Sequence, residues 1–171
     1  MDLLTPLLTP YFHGAGWIPD RTVVVPDGVP FAHPAHAILR SFSGLTVGKT
    51  GDGLECATDN VAFGHIAEKG TRVLAWEVAL ATQLIGIATI HNEHGELFID
   101  ATGRMFTNSI IHPAFAFAGE SFAEGIERLL TGVRQQPMLL PDDDSIMFYG
   151  TEFCAGDPAV LTPDALNALN E

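Results

Sequence analysis

Seven histidines, two cysteines and a run of three aspartates are the side chains of this chain with the widest chemical repertoire. His91 and His94 stand three apart in the stretch His91 to Gly95 (HNEHG), with His65 or His112 as a conceivable third metal ligand. A zinc site needs three or four convergent ligands, and a catalytic one needs an open position as well. HNEHG is not the H-E-x-x-H pattern, so these histidines read as polar loop residues and no metal is expected. Cys56 could serve as a nucleophile only with a depressed pKa and an exposed thiol, neither of which a sequence displays. There is no G-x-S-x-G elbow, and the FSGL around Ser43 reads as a helix end. The glycine-rich GKTGDG at Gly48 to Gly53 is not followed by Lys-Ser/Thr opening an apolar helix, which excludes a phosphate-binding loop and leaves a flexible connection between strands. Asp142, Asp143 and Asp144 form a charge run, suited to solvent or a partner surface rather than to paired acid and base work. These residues do not assemble an active site. The chemistry therefore points to a binding protein, not an enzyme, with no cofactor and no small-molecule ligand expected.

Charge narrows the kind of partner. The 171 residues carry a formal net charge of −13, with 47% hydrophobic and 17% charged residues. That size fits one domain with a substantial core, and that composition is globular. An acidic surface repels nucleic acid and anionic lipid and favours a basic partner or plain solubility. Basic residues are too few and too scattered to contact nucleic acid. The N-terminal MDLLTPLLTPYF lacks a basic flank and is broken by Pro6 and Pro10, and no apolar run approaches the ~20 residues that span a bilayer. A cytoplasmic location is expected. Cys56 and Cys154 could form one disulfide, but free thiols in a reducing compartment suit a chain of this size better.

The elements that must position these residues centre on Leu84 to Ser109, read as a three-stranded antiparallel meander. Ile85, Ile87 and Thr89 fall on one face of its first strand and Leu84, Gly86, Ala88 and Ile90 on the other, so both faces are apolar and both need cover. HNEHG makes the first hairpin turn, with Gly95 expected to supply a positive φ. Leu97 to Ile99 returns. Asp100 to Gly103 has the residue preferences of a type I turn, and Arg104-Met105-Phe106 begins the third strand.

Upstream, Asp2 to His13 is expected as a short helix, Thr22 to Val25 as a strand and Pro34 to Phe42 as a helix with Ala35, Ile38, Leu39 and Phe42 on its apolar stripe. Short strands are expected at Leu45 to Val47 and Leu54 to Thr58. Asp59 is expected to open a short helical segment through Ala67. A nearly all-apolar helix is expected over Thr71 to Gln83, largely buried. Downstream, Ile110 to Ala118 reads as an apolar loop. Gly119 to Gly132 is a helix with a Ser121/Glu124 capping box, an apolar stripe of Phe122, Ile126, Leu129 and Leu130, a Glu124–Arg128 pair, and Gly125 where close packing on the sheet is needed. Beyond it, a strand is expected at Ile146 to Tyr149 and a helix at Pro163 to Leu169 with Thr162 as N-cap. The fold class is α+β: a single domain over 1–171, with one mainly antiparallel sheet flanked by helices.

The order IG, LFID, GRMF and then GESFAEGIERLLTG, with AGWIPDR at Ala15 to Arg21 and LRSFSGLTV at Leu39 to Val47 upstream, resembles the SUKH-3 branch of the SMI1/KNR4-like (SUKH) superfamily. The resemblance covers about 14–132 and leaves 133–171 as a C-terminal extension. It implies an immunity protein that binds and neutralises a cognate bacterial toxin, often a nuclease or other nucleic-acid-modifying enzyme. A non-catalytic regulatory or scaffold protein is the alternative within the same superfamily, and a metal- or thiol-dependent enzyme a distant third. Trp17, Arg21, Asp100, Gly103 and Arg104 are the positions carried over from the family motifs. A structural role is open for each, with tryptophan filling core and Asp100 capping its own turn. Asp142, Asp143 and Asp144, then Glu93 and Glu96 at the hairpin, are the acids expected to face the toxin.

Overall fold

A computed structural model describes residues 3–168. In chain order the elements are α1 (Thr9–Gly14), α2 (Pro34–Phe42), β1 (Thr46–Gly51), β2 (Thr58–Ile66), α3 (Thr71–Leu80), β3 (Ile85–Ile90), β4 (Gly95–Ile99), β5 (Met105–Ser109), β6 (Ala114–Gly119), α4 (Phe122–Thr131), β7 (Gln136–Met138), β8 (Ser145–Phe148), β9 (Thr151–Cys154) and α5 (Pro163–Ala168). Strands β1 to β7 form one sheet in sequence order, every neighbour antiparallel. The expected meander is its centre, as β3, β4 and β5. Strands β8 and β9 make a separate hairpin.

Both faces of the sheet are covered. Leu97, Ile99 and Met105 point to one side and pack with Leu8, which precedes α1, Phe12 of α1, Ile38 and Phe42 of α2, and Phe122 and Ile126 of α4. Phe98 and Phe106 alternate to the other side and meet Trp76 of α3, Phe115, Met138 of β7 and Leu166 of α5. Strand β3 departs from simple alternation. Gly86 pairs with Phe98 but Ala88 pairs with Leu97, so Ile87 is an extra residue, a bulge. The re-phasing brings Ile85, Ile87 and Ile90 into a single cluster.

Several local expectations change. Thr22 to Val25 forms no strand, and Val24 is 95% exposed, because β-branched propensity gives nothing without a partner strand. The segment from Asp59 lies in the nine-residue strand Thr58–Ile66, not in a helix. Val61 and Phe63 alternate inward and pair with β3, while Leu54 to Ala57 is loop. Gly48 to Gly51 belongs to β1 rather than to a free loop, with a register irregularity between those two glycines. Ala114 to Ala118 of the expected apolar loop, with Gly119 after it, is strand β6. Helix α1 starts only at Thr9, and Asp2 lies outside the described residues. Helix α3 ends at Leu80 and is less buried than its sequence implied, with Leu74 and Val78 exposed.

Other expectations hold. Helix α2 buries Ala35, Ile38, Leu39 and Phe42, and His33 caps it, accepting from the Ala35 N–H at 3.2 Å through Nδ1. Burial lowers the His33 pKa, so the ring stays neutral, as an acceptor nitrogen requires. On α4 the Ser121 Oγ accepts from the Glu124 N–H at 3.3 Å, and Glu124 Oε2 accepts from the Glu120 N–H at 3.0 Å, one residue short of the usual box partner. A Cβ at Gly125 would lie 2.7 Å from Met105 Cβ, which is the close approach that glycine permits. Thr162 caps α5 through the Ala165 N–H at 3.2 Å, and Leu169 lies outside the described residues. Replacing Ser121 with alanine is expected to cost about 0.5 to 2 kcal/mol, read as a lower denaturant midpoint at unchanged slope.

Candidate protein interface

The carried-over motif positions sit where they hold the fold. Trp17 is half-buried between His13 and Phe42, with ring centroids 5.2 and 6.3 Å away. Arg21 donates to the carbonyls of Ser41 at 2.8 Å and Ser43 at 2.7 Å, placing a cation at the negative end of α2. Asp100 is completely buried. Its Oδ1 accepts from the Thr102 N–H, the Thr102 hydroxyl and the Arg104 N–H, and its Oδ2 accepts from Arg104 Nε at 2.6 Å. Gly103 completes that turn at φ 101°. Arg104 also donates toward the Leu166 carbonyl at 3.5 Å, tying the β4–β5 turn to α5.

The five candidate acids divide. Asp143 is held by Arg72 at 2.8 Å and accepts from the Leu140 N–H at 3.4 Å, so it fastens its loop to α3. Glu96 is half-buried and accepts from Asn108 Nδ2 at 2.9 Å. Among the described residues, the side chains of Asp142, Asp144 and Glu93 are exposed and carry no hydrogen bond or ion pair. Glu93 stands on the β3–β4 tip and the two aspartates on the loop before β8, so the acids do not form one cluster on one element.

A third feature, which no motif marks, lies at the end of the sheet that carries the β3–β4 tip. Asp59, at the start of β2, keeps only 2% of its side chain exposed. Its Oδ1 accepts from the backbone N–H groups of Asn60 at 2.8 Å and His91 at 2.7 Å. Its Oδ2 lies 2.8 Å from His91 Nδ1, a charge contact without hydrogen-bond alignment. Asn60 Oδ1 accepts from the Asn92 N–H at 3.1 Å. These bonds hold His91, Asn92 and Glu93 at φ of 52°, 52° and 69°, three consecutive non-glycine residues in the left-handed region. The expected positive φ at Gly95 is absent. Gly95 is instead a buried strand residue, where a Cβ would lie 2.9 Å from Ile90 Cγ1. Alternation at Val61 and Phe63 was the available signal for β2, and hence for this use of Asp59.

Beside the tip lies a pocket of about 270 Å³, lined in part by Cys56, Asp59, His91, His112, Gln135 and Tyr149. Burial raises the pKa of the Cys56 thiol and of the Tyr149 phenol, so both are uncharged. Cys56 and Cys154 are both free. The Asp59 contact raises the His91 pKa. Among the described residues, no group of three or more histidine, cysteine or acidic side chains could hold a metal ion, and no helix is long and apolar enough to cross a membrane.

A family model for the SUKH-3 immunity protein matches residues 8–132. The chain belongs to the SUKH-3 immunity protein family. Searches of the curated proteins and of the solved structures returned no match. The SUKH-3 match runs from Leu8, the first fully buried core residue, to Gly132, the left-handed cap of α4. Beyond it, β7 still joins the SUKH-3 sheet as its seventh strand, and Leu161 bridges to Met138 on the outer side of β7.

Two outcomes follow for this SUKH-3 chain. Arg104→Met leaves Asp100 buried with its cationic partner removed, so the unfolding free energy should fall by about 3 to 5 kcal/mol in urea titrations. His91 has a folded pKa raised above its ordinary 6.5, so its stabilising contribution is complete below about pH 6.5 and is lost as pH climbs through the raised value. Its ring is 57% exposed, and solvent screening keeps the effect small. The stability gap between wild type and His91→Gln should therefore be widest near pH 6 and narrowest near pH 9, to about the precision of a midpoint. A gap independent of pH would contradict the Asp59 contact.

Proposed function

We propose that this chain is an immunity protein of a bacterial polymorphic toxin system, acting in the cytoplasm. It binds a cognate toxin by direct protein contact and blocks it without catalysing a reaction. The observation that carries this reading is the SUKH-3 match across residues 8–132. We read 1–171 as one working domain, with the extension beyond 132 contributing a sheet strand and a covering helix.

The net charge of −13 supports a finer reading, in which the toxin is a nuclease or another nucleic-acid-modifying enzyme. An active site that holds phosphates is basic, and carboxylates can stand where phosphates would. Of the five candidate acids, Asp142, Asp144 and Glu93 are free to do so. Asp143 is spent on Arg72 and Glu96 on Asn108, which lowers both in the order of test.

Opposite fields speed encounter and are screened over ~10 Å at 0.1 M salt, while dissociation depends on close contacts. The association rate with the toxin encoded by the neighbouring gene should fall by about tenfold or more from low to high salt, with a smaller change in dissociation. The Asp142→Asn, Asp144→Asn, Glu93→Gln variant should flatten that dependence. An association rate indifferent to both salt and substitution would assign the acidity to solubility alone.

A further inference from the structure

The β3–β4 tip, the β1–β2 loop, the β5–β6 loop, the end of α4 and the tip of the β8–β9 hairpin meet around the pocket beside Asp59. They are wired to one another through the backbone. The Leu54 N–H donates to the Thr131 carbonyl at 3.0 Å, and the Glu55 and Cys56 N–H groups donate to the Gly132 carbonyl at 2.8 and 2.9 Å. The Ile110 N–H donates to the His94 carbonyl at 3.1 Å, so the β5–β6 loop hangs from the strained tip. The Gln135 N–H donates to the Tyr149 hydroxyl at 3.1 Å, and the Thr107 hydroxyl pairs with Gln135 Oε1.

These loops also expose large apolar side chains next to residues that line the pocket. Leu54 is 78% exposed, Ile110 58% and Ile111 68%. Leu54 stands two residues from the pocket-lining Cys56, and the isoleucines stand between the pocket-lining Ser109 and His112. The walls between them are largely apolar too, with Ala57, Leu129, Val133 and Phe148 beside the Tyr149 ring. Clustered exposed apolar side chains with polar residues around them mark protein interaction sites. The acids on these loops are Asp52, Glu55 and Glu93, with Glu96 behind them, and the arginines, Arg128 and Arg134, are already engaged. Arg128 is bonded to Glu124 and to the Arg134 carbonyl, and the Arg134 guanidinium lies 5.5 Å from the centre of the Tyr149 ring. Glu55 accepts from the Arg134 N–H at 2.9 Å and Glu96 from Asn108, so among these carboxylates those of Asp52 and Glu93, both exposed, are left available to a partner.

We propose that this end of the sheet is the surface on which the toxin docks, and that its pocket receives one aromatic side chain of the toxin from a patch flanked by basic residues. The inference rests on the immunity reading and adds to it where the toxin binds and by what chemistry. At about 270 Å³ the pocket falls just below the ~300 to 1,000 Å³ of small-molecule sites, which suits one large side chain better than a cofactor. The uncharged Cys56 sulfur and the Tyr149 ring offer an aromatic guest its usual contacts. Strain at the tip is held by Asp59 and Asn60 before any partner arrives, so docking there orders little. Acids elsewhere, Asp142 and Asp144 among them, speed approach, and this surface supplies the lasting contact.

The test uses the full chain and the toxin domain encoded beside it. Calorimetry would compare wild type, Ile110→Asp with Ile111→Asp on the rim, Ala57→Trp to fill the pocket, and Val24→Asp with Phe31→Asp as exposed apolar controls away from it. Circular dichroism and a denaturation midpoint confirm that each variant is folded. The rim and pocket variants should each weaken binding by about thirtyfold or more, and the control by less than about threefold. In parallel, maleimide labelling of Cys56 should slow by about tenfold in the complex while Cys154 labels unchanged, since only Cys56 lines the pocket. Toxin binding that survives both sets of substitutions, with Cys56 still labelled freely, overturns the docking surface and leaves the immunity reading in place. A control weakened as much as the rim variants overturns it as well. A wild-type dimer that the isoleucine substitutions dissolve assigns the surface to self-association instead. No binding by wild type removes the immunity reading and the docking surface with it.

Discussion

A sheet that is apolar on both faces can exist in water only if both are covered, and the placement of every helix follows from that constraint. On one side α1, α2 and α4 bury Phe12, Phe42 and Phe122 against β-strand residues such as Ile99 and Met105. On the other, α3 brings Trp76 onto Phe115, with stacked rings 4.5 Å apart. That second face needs Met138 and Leu166 as well, both beyond the family match. The 133–168 segment is therefore part of the same packing problem as the matched region. It also supplies Tyr149, without which the pocket beside Asp59 would lack a wall.

The elements legible in the sequence were those specified by local chemistry. Helices α2 and α4 announced themselves by stripe and cap, and the Asp100 turn by its residue types. Elements whose state depends on a distant partner were not legible. Val23 to Val25 has strand propensity but nothing to pair with, whereas Asp59 to Ile66 has a carboxylate that suits a helix start and is a strand because β1 and β3 flank it. Ala114 to Ala118 is apolar throughout, which a fully buried strand and an apolar loop share. Similarly, nothing short of the register in β3 reveals that Ile87 is a bulge.

The same division separates the candidate site residues. Trp17, Arg21, Asp100 and Arg104 belong to readable motifs, and their contacts are internal: a half-buried ring against the core, a helix end, a buried turn. The surface that could distinguish one partner from another is assembled from loops near residues 54–57, 91–94, 109–112, 129–135 and 148–149. No sequence window contains it. Asp59 shows how the two connect, since one buried carboxylate fixes the backbone of the tip from which the neighbouring loop hangs.

Whether the chain neutralises a toxin is tested most directly in living cells. Induction of the neighbouring gene's product, tested as the proposed toxin, should arrest growth, and co-expression of this chain should restore it to near the rate of uninduced cells. Continued arrest with this protein folded and in excess over an active toxin would contradict the account.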